Sequence, residues 1–203
     1  MMTLFDKLPR HVLFQGEKIG IRPEFARVLL CLKISADPVL SDLEKLELCL
    51  QILVRHRARI PKNDTDKAAL FQAVFDFLAD VEKKQSHSMK VFDFEQDAAY
   101  IYAAFYQCYH IDLLSKTGRK LHWHQFISLF GGLSEDTRLM QIISIRSRPM
   151  PKATKYNAEE RQMLAKLKAQ YRLQLTEEER KAQLADGFAK MAAALKSMAQ
   201  EKR

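Results

Sequence analysis

The sequence predicts a mainly α-helical fold: a multi-helix core domain with a small N-terminal β-hairpin and a helical C-terminal arm. Apolar residues recur at spacings of three and four over most of the chain, which is the period of a helix that buries one face. Six Gly and six Pro among 203 residues are too few for the many turns of an all-β fold. Hydrophobic residues make up 47% of the chain, which is enough for a packed core and excludes wholesale disorder.

The β-hairpin is predicted near the N-terminus. Two short apolar runs, residues 12–14 and 19–21, flank the polar, Gly-containing residues 15–18. This is the pattern of two strands joined by a tight turn. Because a two-stranded hairpin is marginal by itself, we expect it to pack on the helices.

Two helices are predicted after the hairpin. Pro23 suits the first turn of the first helix. Ser41, followed by Glu44 three residues later, has the spacing of a capping box at the start of the second helix. Their predicted apolar stripes are Phe25, Val28, Leu29 and Leu32 in the first helix, and Leu43, Leu46, Leu50 and Leu53 in the second.

A third helix is predicted after the chain break at Pro61 and Asn63-Asp64. Thr65 or Asp66 is its expected first residue, and the polar residues 82–90 that follow it predict a flexible loop. The apolar positions of this helix are Leu70, Val74, Phe77, Leu78 and Val81.

The second half of the core opens with a Tyr-rich helix. Asp93 is its predicted cap, and Glu95 and Asp97 would complement the positive end of the helix dipole. Its expected buried face consists of Ala98, Ile101, Phe105 and either Cys108 or Tyr109.

Two shorter helices complete the predicted core. Residues 121–130 form the first, which ends at Gly131 and Gly132 as C-cap residues. Ser134 is the expected cap of the second, which ends at Arg146 and buries Leu139, Ile142 and Ile143.

The composition changes after Pro151, and we predict two domains: a helical core at residues 1–150 and a charged amphipathic helical extension at residues 151–203. Within the extension, a first apolar stripe consists of Met163, Leu164, Leu167 and Tyr171. A second stripe follows a strong helix start at Thr176 and repeats at alternating spacings of four and three, like a short heptad pattern. Its residues, the candidates for partner binding or self-association, are Leu184, Phe188, Met191, Leu195 and Met198.

The segment LHWHQF at residues 121–126 raises the question of a metal or catalytic site. On a helix, two residues separated by one position point about 200° apart, so His122 and His124 would not share a ligand. We therefore expect a packed Trp123 with surface histidines on either side. The chain carries no metal-ligand motif, nucleophile elbow or phosphate loop, so we expect no catalytic residue, no metal and no cofactor.

The net charge limits the class of binding partner, and the cysteine spacing indicates the cellular compartment. The net charge of +8 keeps nucleic acid among the candidate partners. The basic runs at residues 55–59 and 146–155 have no interleaved aromatics, however, so a solvated basic face is favoured. Widely spaced cysteines indicate free buried thiols and a reducing cytosolic compartment. No apolar run approaches the length of a membrane span.

Several segments together resemble the bacteriophage gene-product-fifteen family of tailed phages and prophages. The resemblance covers residues 4–150 and is most specific in FDFEQDAAYIYAAF (residues 92–105) and LHWHQF; further matches are Leu8-Pro9, SDLEK (41–45), YHIDLL (109–114), LFGGLSEDT (129–137) and IRS (145–147). One departure is His124, where the family often has a second aromatic residue after Trp123. The family-motif packing residues are Phe92, Phe94, Ile101, Tyr102, Phe105, Leu121, Trp123, Phe126 and Phe130.

The resemblance implies a role in tail morphogenesis. Proteins of this family are generally regarded as tail assembly chaperones that coat the long helical tape measure protein in the host cytoplasm. An α-rich protein without catalytic groups suits such a client, because an amphipathic helix is recognised through apolar anchors. We therefore expect a non-enzymatic chaperone. The alternatives are a structural tail or tail-completion protein and a basic helical nucleic-acid-binding protein.

Overall fold

The structure is a computed structural model that describes residues 7–79 and 91–174. These residues form two β-strands and seven α-helices, so the predicted mainly α fold with an N-terminal hairpin is confirmed. The strands are β1 (His11–Phe14) and β2 (Glu17–Gly20). The helices are α1 (Phe25–Ser35), α2 (Asp42–Leu53), α3 (Asp64–Ala79), α4 (Ala98–Tyr109), α5 (Trp123–Gly131), α6 (Arg138–Ser147) and α7 (Ala158–Gln170), with 3-10 turns at Arg57–Arg59 and Gly118–Lys120.

The chain divides into two compact units, Met1–Ser147 and Arg148–Arg203. In the first unit α1 packs on α2 and α5, α2 on α3, α3 on β1, and α4 on α6. In the second unit α7 buries Leu164, while Met163 of the same predicted stripe is 62% exposed. Val81, the predicted loop at 82–90 and the heptad-like stripe from Leu184 to Met198 lie outside the described residues.

The hairpin has a tighter turn than the sequence predicted. Gln15 and Gly16 alone connect the strands, and their φ angles of 49° and 80° are both positive, as in the type I′ turn that matches the twist of paired strands. Val12 pairs with Ile19, and both side chains are buried. The end of the hairpin is joined to the segment that follows α2 by a hydrogen bond of 2.9 Å from the Arg55 amide to the Gly20 carbonyl.

The starts of α2 and α3 follow from local side-chain chemistry. The Ser41 hydroxyl accepts from the Glu44 amide and the Glu44 carboxylate accepts from the Ser41 amide, which confirms the predicted capping box. The start of α3 was predicted one or two residues late. Asn63 precedes the helix, and its side-chain oxygen accepts from the Asp66 amide at 2.6 Å.

Two predicted caps are wrong because short turns precede the helices. The Asp93 carboxylate accepts from the amides of Glu95 and Gln96 in such a turn, and α4 starts only at Ala98. Likewise, the Ser134 hydroxyl serves the turn before α6, and the Thr137 hydroxyl accepts from the first turn of that helix at the Met140 amide.

Asp97 has a role that the sequence did not show. Only 1% of the residue is exposed, and its two carboxylate oxygens accept from the Arg146 guanidinium at 2.6 and 2.9 Å. It was predicted to complement the positive end of the helix dipole. Instead, this buried ion pair joins the start of α4 to the end of α6.

The buried faces of α1 and α2 are shifted from the predicted stripes. Cys31 and Cys49 lie in the core, whereas Leu32 is 42% exposed and Leu43 is 46% exposed. Val28, Leu50 and the hairpin residues complete this part of the core. None of the helices in the described ranges is long and apolar enough to cross a membrane.

Candidate functional site

The segment LHWHQF lies where the hairpin, α3 and α5 meet. Residues 121–123 run beside residues 23–25: the Phe25 amide donates to the Leu121 carbonyl at 2.9 Å, and the Trp123 amide donates to the Pro23 carbonyl at 2.7 Å. Pro23 therefore precedes α1, and its carbonyl accepts from the first residue of α5. The prediction that it lies in the first turn of α1 is wrong.

His122 is the N-cap of α5. Its Nδ1 accepts from the His124 amide at 3.2 Å, and its Nε2 lies 3.0 Å from the Pro9 carbonyl. These partners require the neutral tautomer that carries its proton on Nε2. Burial lowers the pKa of His122 from its ordinary value, which agrees with a neutral ring.

Trp123 and His124 donate to backbone carbonyls at the C-terminal end of α3. The last carbonyls of any helix have no partner within it. In α3 two of these carbonyls are satisfied from α5: the Trp123 indole donates to the Leu78 carbonyl at 3.1 Å, and the His124 ring nitrogen Nε2 lies 2.9 Å from the Phe77 carbonyl. Residues 121–124 are thus hydrogen-bonded to Pro9, to residues 23–25 and to the end of α3, and we call this arrangement the histidine junction.

The expectation of surface histidines is wrong. His122 is 2% exposed and His124 is 7% exposed, and their ring centroids are 5.1 Å apart. Helical phase does not separate them, because His122 stands outside the helix at the cap position. Among the described residues there is no group of three or more potential metal ligands of the His, Cys, Asp or Glu type.

Six of the nine family-motif residues form one aromatic cluster around α5: Phe92, Phe94, Phe105, Trp123, Phe126 and Phe130. The Phe126 ring is stacked between Phe25 at 4.7 Å and Phe105 at 5.0 Å, and Phe94 lies within 6.3 Å of both Trp123 and Phe126. Among all nine family-motif residues, the buried ones are Ile101, Phe105, Trp123 and Phe126, and the half-buried ones are Phe92, Phe94, Tyr102, Leu121 and Phe130.

An apolar groove runs along α1 beside this cluster and is the candidate functional site. It consists of three cavities of about 290, 640 and 240 Å³, and Phe94 lines all three. The first lies between α1 and the Phe75 side of α3. The second faces the turn at Phe92, and the third reaches Leu114.

Large apolar side chains are exposed along the groove. Leu30 is 47% exposed, Leu32 42%, Phe75 50% and Leu114 70%. Leaving such side chains in water has a free-energy cost that a bound apolar surface would remove. The sequence assigned Leu32 to the core, and only the packing of α1 on α2 shows that it faces the groove.

Charged residues also line one cavity of the groove. The Lys33 ammonium lies 2.6 Å from the Glu95 carboxylate, and both residues line the second cavity together with Arg119. Charged groups beside an apolar floor suit an amphipathic partner with polar residues flanking its apolar face.

The other predicted sites are either elsewhere or not described. The basic residues 55–59 are exposed, and Arg59 pairs with Glu17 at 2.5 Å. The five predicted partner-binding residues, Leu184, Phe188, Met191, Leu195 and Met198, lie outside the described residues.

Comparison with known proteins identifies one relationship. No curated protein and no solved structure matches the chain. The family model described as Bacteriophage Gp15 protein matches residues 4–173, which include the hairpin, the aromatic cluster, the histidine junction and the groove. The chain therefore belongs to the Bacteriophage Gp15 protein family.

Proposed function

We propose that this phage protein is a tail assembly chaperone that binds the helical tape measure protein non-enzymatically in the cytoplasm of the bacterial host. The observation that carries the proposal is the apolar groove along α1. Membership of a bacteriophage family supports the phage context. The groove supports a protein client, because its large exposed side chains are apolar and charged residues line its second cavity.

The dimensions of the groove suit an amphipathic helix. The helix α1 has 11 residues and is therefore about 16 Å long at 1.5 Å per residue. A client helix lying along it would present about three turns, with anchors at positions i, i+3 or i+4, and i+7. The three cavities all lie against α1 and share Phe94, so each can receive one such anchor.

The distribution of exposed apolar residues gives the expected energetics. Leu32 and Phe75 stand at the first cavity and Leu114 stands at the third. Burying a side chain of this size under a partner contributes roughly 1–3 kcal/mol. Replacing one of them with Asp would remove that contribution and place a carboxylate on the apolar face of the client.

Co-expression with the tape measure protein of the same phage tests this proposal. We expect wild-type protein to keep the tape measure protein soluble and to co-purify with it. Leu32→Asp and Leu114→Asp should each reduce the recovered tape measure protein at least tenfold. Val39→Asp is the matched control, because Val39 is 88% exposed and is not a lining residue of the three cavities.

The C-terminal candidates require a separate variant. Replacing Phe188 and Leu195 with Asp tests whether that stretch, which lies outside the described residues, contributes to the client contact or to self-association. Size-exclusion chromatography of this variant separates the two effects. If circular dichroism shows folded groove variants and co-purification is unchanged for all of them, the proposal fails.

Mass spectrometry of purified virions distinguishes the chaperone from a structural protein. We expect the chain to be absent from mature particles. Its presence in stoichiometric amounts would support the alternative of a structural tail or tail-completion protein. Salt-sensitive retention on DNA would support the nucleic-acid-binding alternative.

A further inference from the structure

Two buried thiols face each other between α1 and α2, and helix binding makes no use of them. Cys31 is 7% exposed and Cys49 is 1% exposed. The Cys31 Sγ lies 4.0 Å from the Cys49 carbonyl oxygen, and the Cys49 Sγ lies 3.7 Å from the Cys31 carbonyl oxygen. This reciprocal contact turns each side chain toward the other residue, as a disulfide requires.

The surroundings make the two thiols unequal. Hydrogen bonds from the thiol of Cys31 and, less strongly, from the side chain of Ser35 lower the pKa of Cys49 to about 7. The same thiol–thiol hydrogen bond, together with burial, raises the pKa of Cys31. The Cys49 thiol therefore loses its proton more readily than the Cys31 thiol, which is the proton donor beside it.

A hydroperoxide that enters the groove reaches Cys31 first, and Cys49 lies behind Cys31 without lining any of the three cavities. Cys31 and Ser35 both line the first cavity, whose volume of about 290 Å³ exceeds that of several water molecules. The third cysteine, Cys108, is on α4 and does not line the three cavities. It provides an internal control.

We propose that Cys31 and Cys49 form a redox-reactive dithiol, which a hydroperoxide converts into an intramolecular disulfide across α1 and α2. The Cys49 thiolate attacks one peroxide oxygen, the O–O bond breaks, and Cys49 sulfenic acid and hydroxide form. The Cys31 sulfur then attacks the Cys49 sulfur and displaces its hydroxyl group. Two thiols and one hydrogen peroxide give one disulfide and two waters, and two electrons pass from sulfur to oxygen.

The disulfide would join one wall of the groove to the helix behind it. In a reducing compartment the pair stays as a dithiol, so the disulfide marks exposure of the protein to an oxidant. The bond would close a loop of 18 residue steps, from Cys31 to Cys49. Constraining the unfolded chain in this way raises the melting temperature by about 5–10 °C for a protein of this size.

The test treats the full-length folded protein with hydrogen peroxide and then maps its cysteines. We expect the number of free thiols to fall from three to one, with Cys108 remaining free. Peptide mass spectrometry without reduction should find Cys31 joined to Cys49 with a loss of two hydrogens. Recovery of both cysteines as free thiols after treatment, or pairing of either with Cys108, would overturn the proposal.

Single variants test the order of the steps. In Cys31→Ser, the Cys49 sulfenic acid has no resolving thiol and should be trapped by dimedone. In Cys49→Ser, dimedone labelling of Cys31 should be at least tenfold slower, while Cys108→Ser should still form the disulfide. Equal labelling of Cys31 and Cys49 would overturn the assigned order, and alanine variants serve as replacements if a buried serine prevents folding.

Discussion

Removing the carboxylate of Asp97 should destabilise the protein more than any surface charge substitution. In Asp97→Asn the Arg146 guanidinium, whose side chain is 11% exposed, loses its ion pair with the Asp97 carboxylate while it remains largely buried. The carboxylate also accepts from the Asp93 amide at 3.0 Å, so one backbone contact weakens as well. We therefore expect a large loss in the free energy of unfolding.

The magnitude follows from the burial of both partners. Breaking a buried, hydrogen-bonded ion pair by removing one partner costs about 3–5 kcal/mol. At about 2–4 °C per kcal/mol for a chain of this length, the melting temperature should fall by at least 6 °C. Urea unfolding followed by circular dichroism measures the free energy, and differential scanning calorimetry measures the melting temperature.

A second ion pair of the same chain provides the matched control. Lys33 and Glu95 are 2.6 Å apart, but their side chains are 67% and 64% exposed. Because water and salt screen such a pair, Glu95→Gln should leave the unfolding midpoint unchanged. An Asp97→Asn variant as stable as Glu95→Gln would refute the conclusion that the buried pair holds α4 to α6.

Three further predictions concern capping and backbone space. His124→Trp should keep the stability of the wild type within about 1 kcal/mol, because an indole N–H can donate to the Phe77 carbonyl of α3. His124→Phe should lose about 1–3 kcal/mol, because it leaves that carbonyl unsatisfied. The folded-state pKa of His122 is lowered from 6.5, so the neutral ring contributes fully to the free energy of unfolding above pH 6.5. This contribution is lost as the pH falls toward the folded-state pKa, and the urea midpoint should therefore decrease between pH 7 and pH 5. His122→Asn, which retains a capping oxygen without titrating, should show a smaller decrease. Gly118→Ala should strongly destabilise the fold, because its Cβ would lie 2.0 Å from the Asp112 carbonyl oxygen. In Gly131→Ala the Cβ meets nothing within 4 Å, so this variant should be neutral or stabilising. Thermal denaturation compares the two variants.

Each of these predictions has a contrary result. Equal stability of the Trp and Phe variants at position 124 would show that the hydrogen bond to α3 is unimportant. The same pH dependence in wild type and His122→Asn would assign the acid sensitivity to other groups. A Gly118→Ala variant as stable as Gly131→Ala would mean that the loop before α5 yields easily to a side chain.

The elements that could be predicted from the sequence are those whose causes are local. The hairpin follows from two short apolar runs around a Gly-containing turn, although its exact turn residues, Gln15 and Gly16, were not predicted. The capping box of Ser41 and Glu44 needs only their spacing of three. The caps at Asp93 and Ser134 were misassigned because each residue makes the same local hydrogen bond in a turn as it would at a helix start. Local sequence cannot distinguish these two structures.

The candidate site was less predictable, because it depends on which faces meet. Periodicity placed Leu32 in the same apolar stripe as Val28, but that stripe is wider than the contact that α2 can cover. The part left over forms the groove. The histidines show the reverse case: two polar residues expected at the surface are buried, because carbonyls of Pro9 and Phe77 from distant parts of the chain satisfy them.

The sequence by itself determined the helical class, the hairpin and the family, since these depend on periodicity, turn chemistry and short motifs. Only the tertiary structure decided that Asp97 pairs with Arg146, that Trp123 and His124 cap α3, that Cys31 faces Cys49, and that an apolar groove remains open along α1. The reason is physical. The sequence of a helix shows which residues share each of its faces. It does not show which faces of distant segments meet, and these long-range hydrogen bonds, ion pairs and cavities arise only where they do.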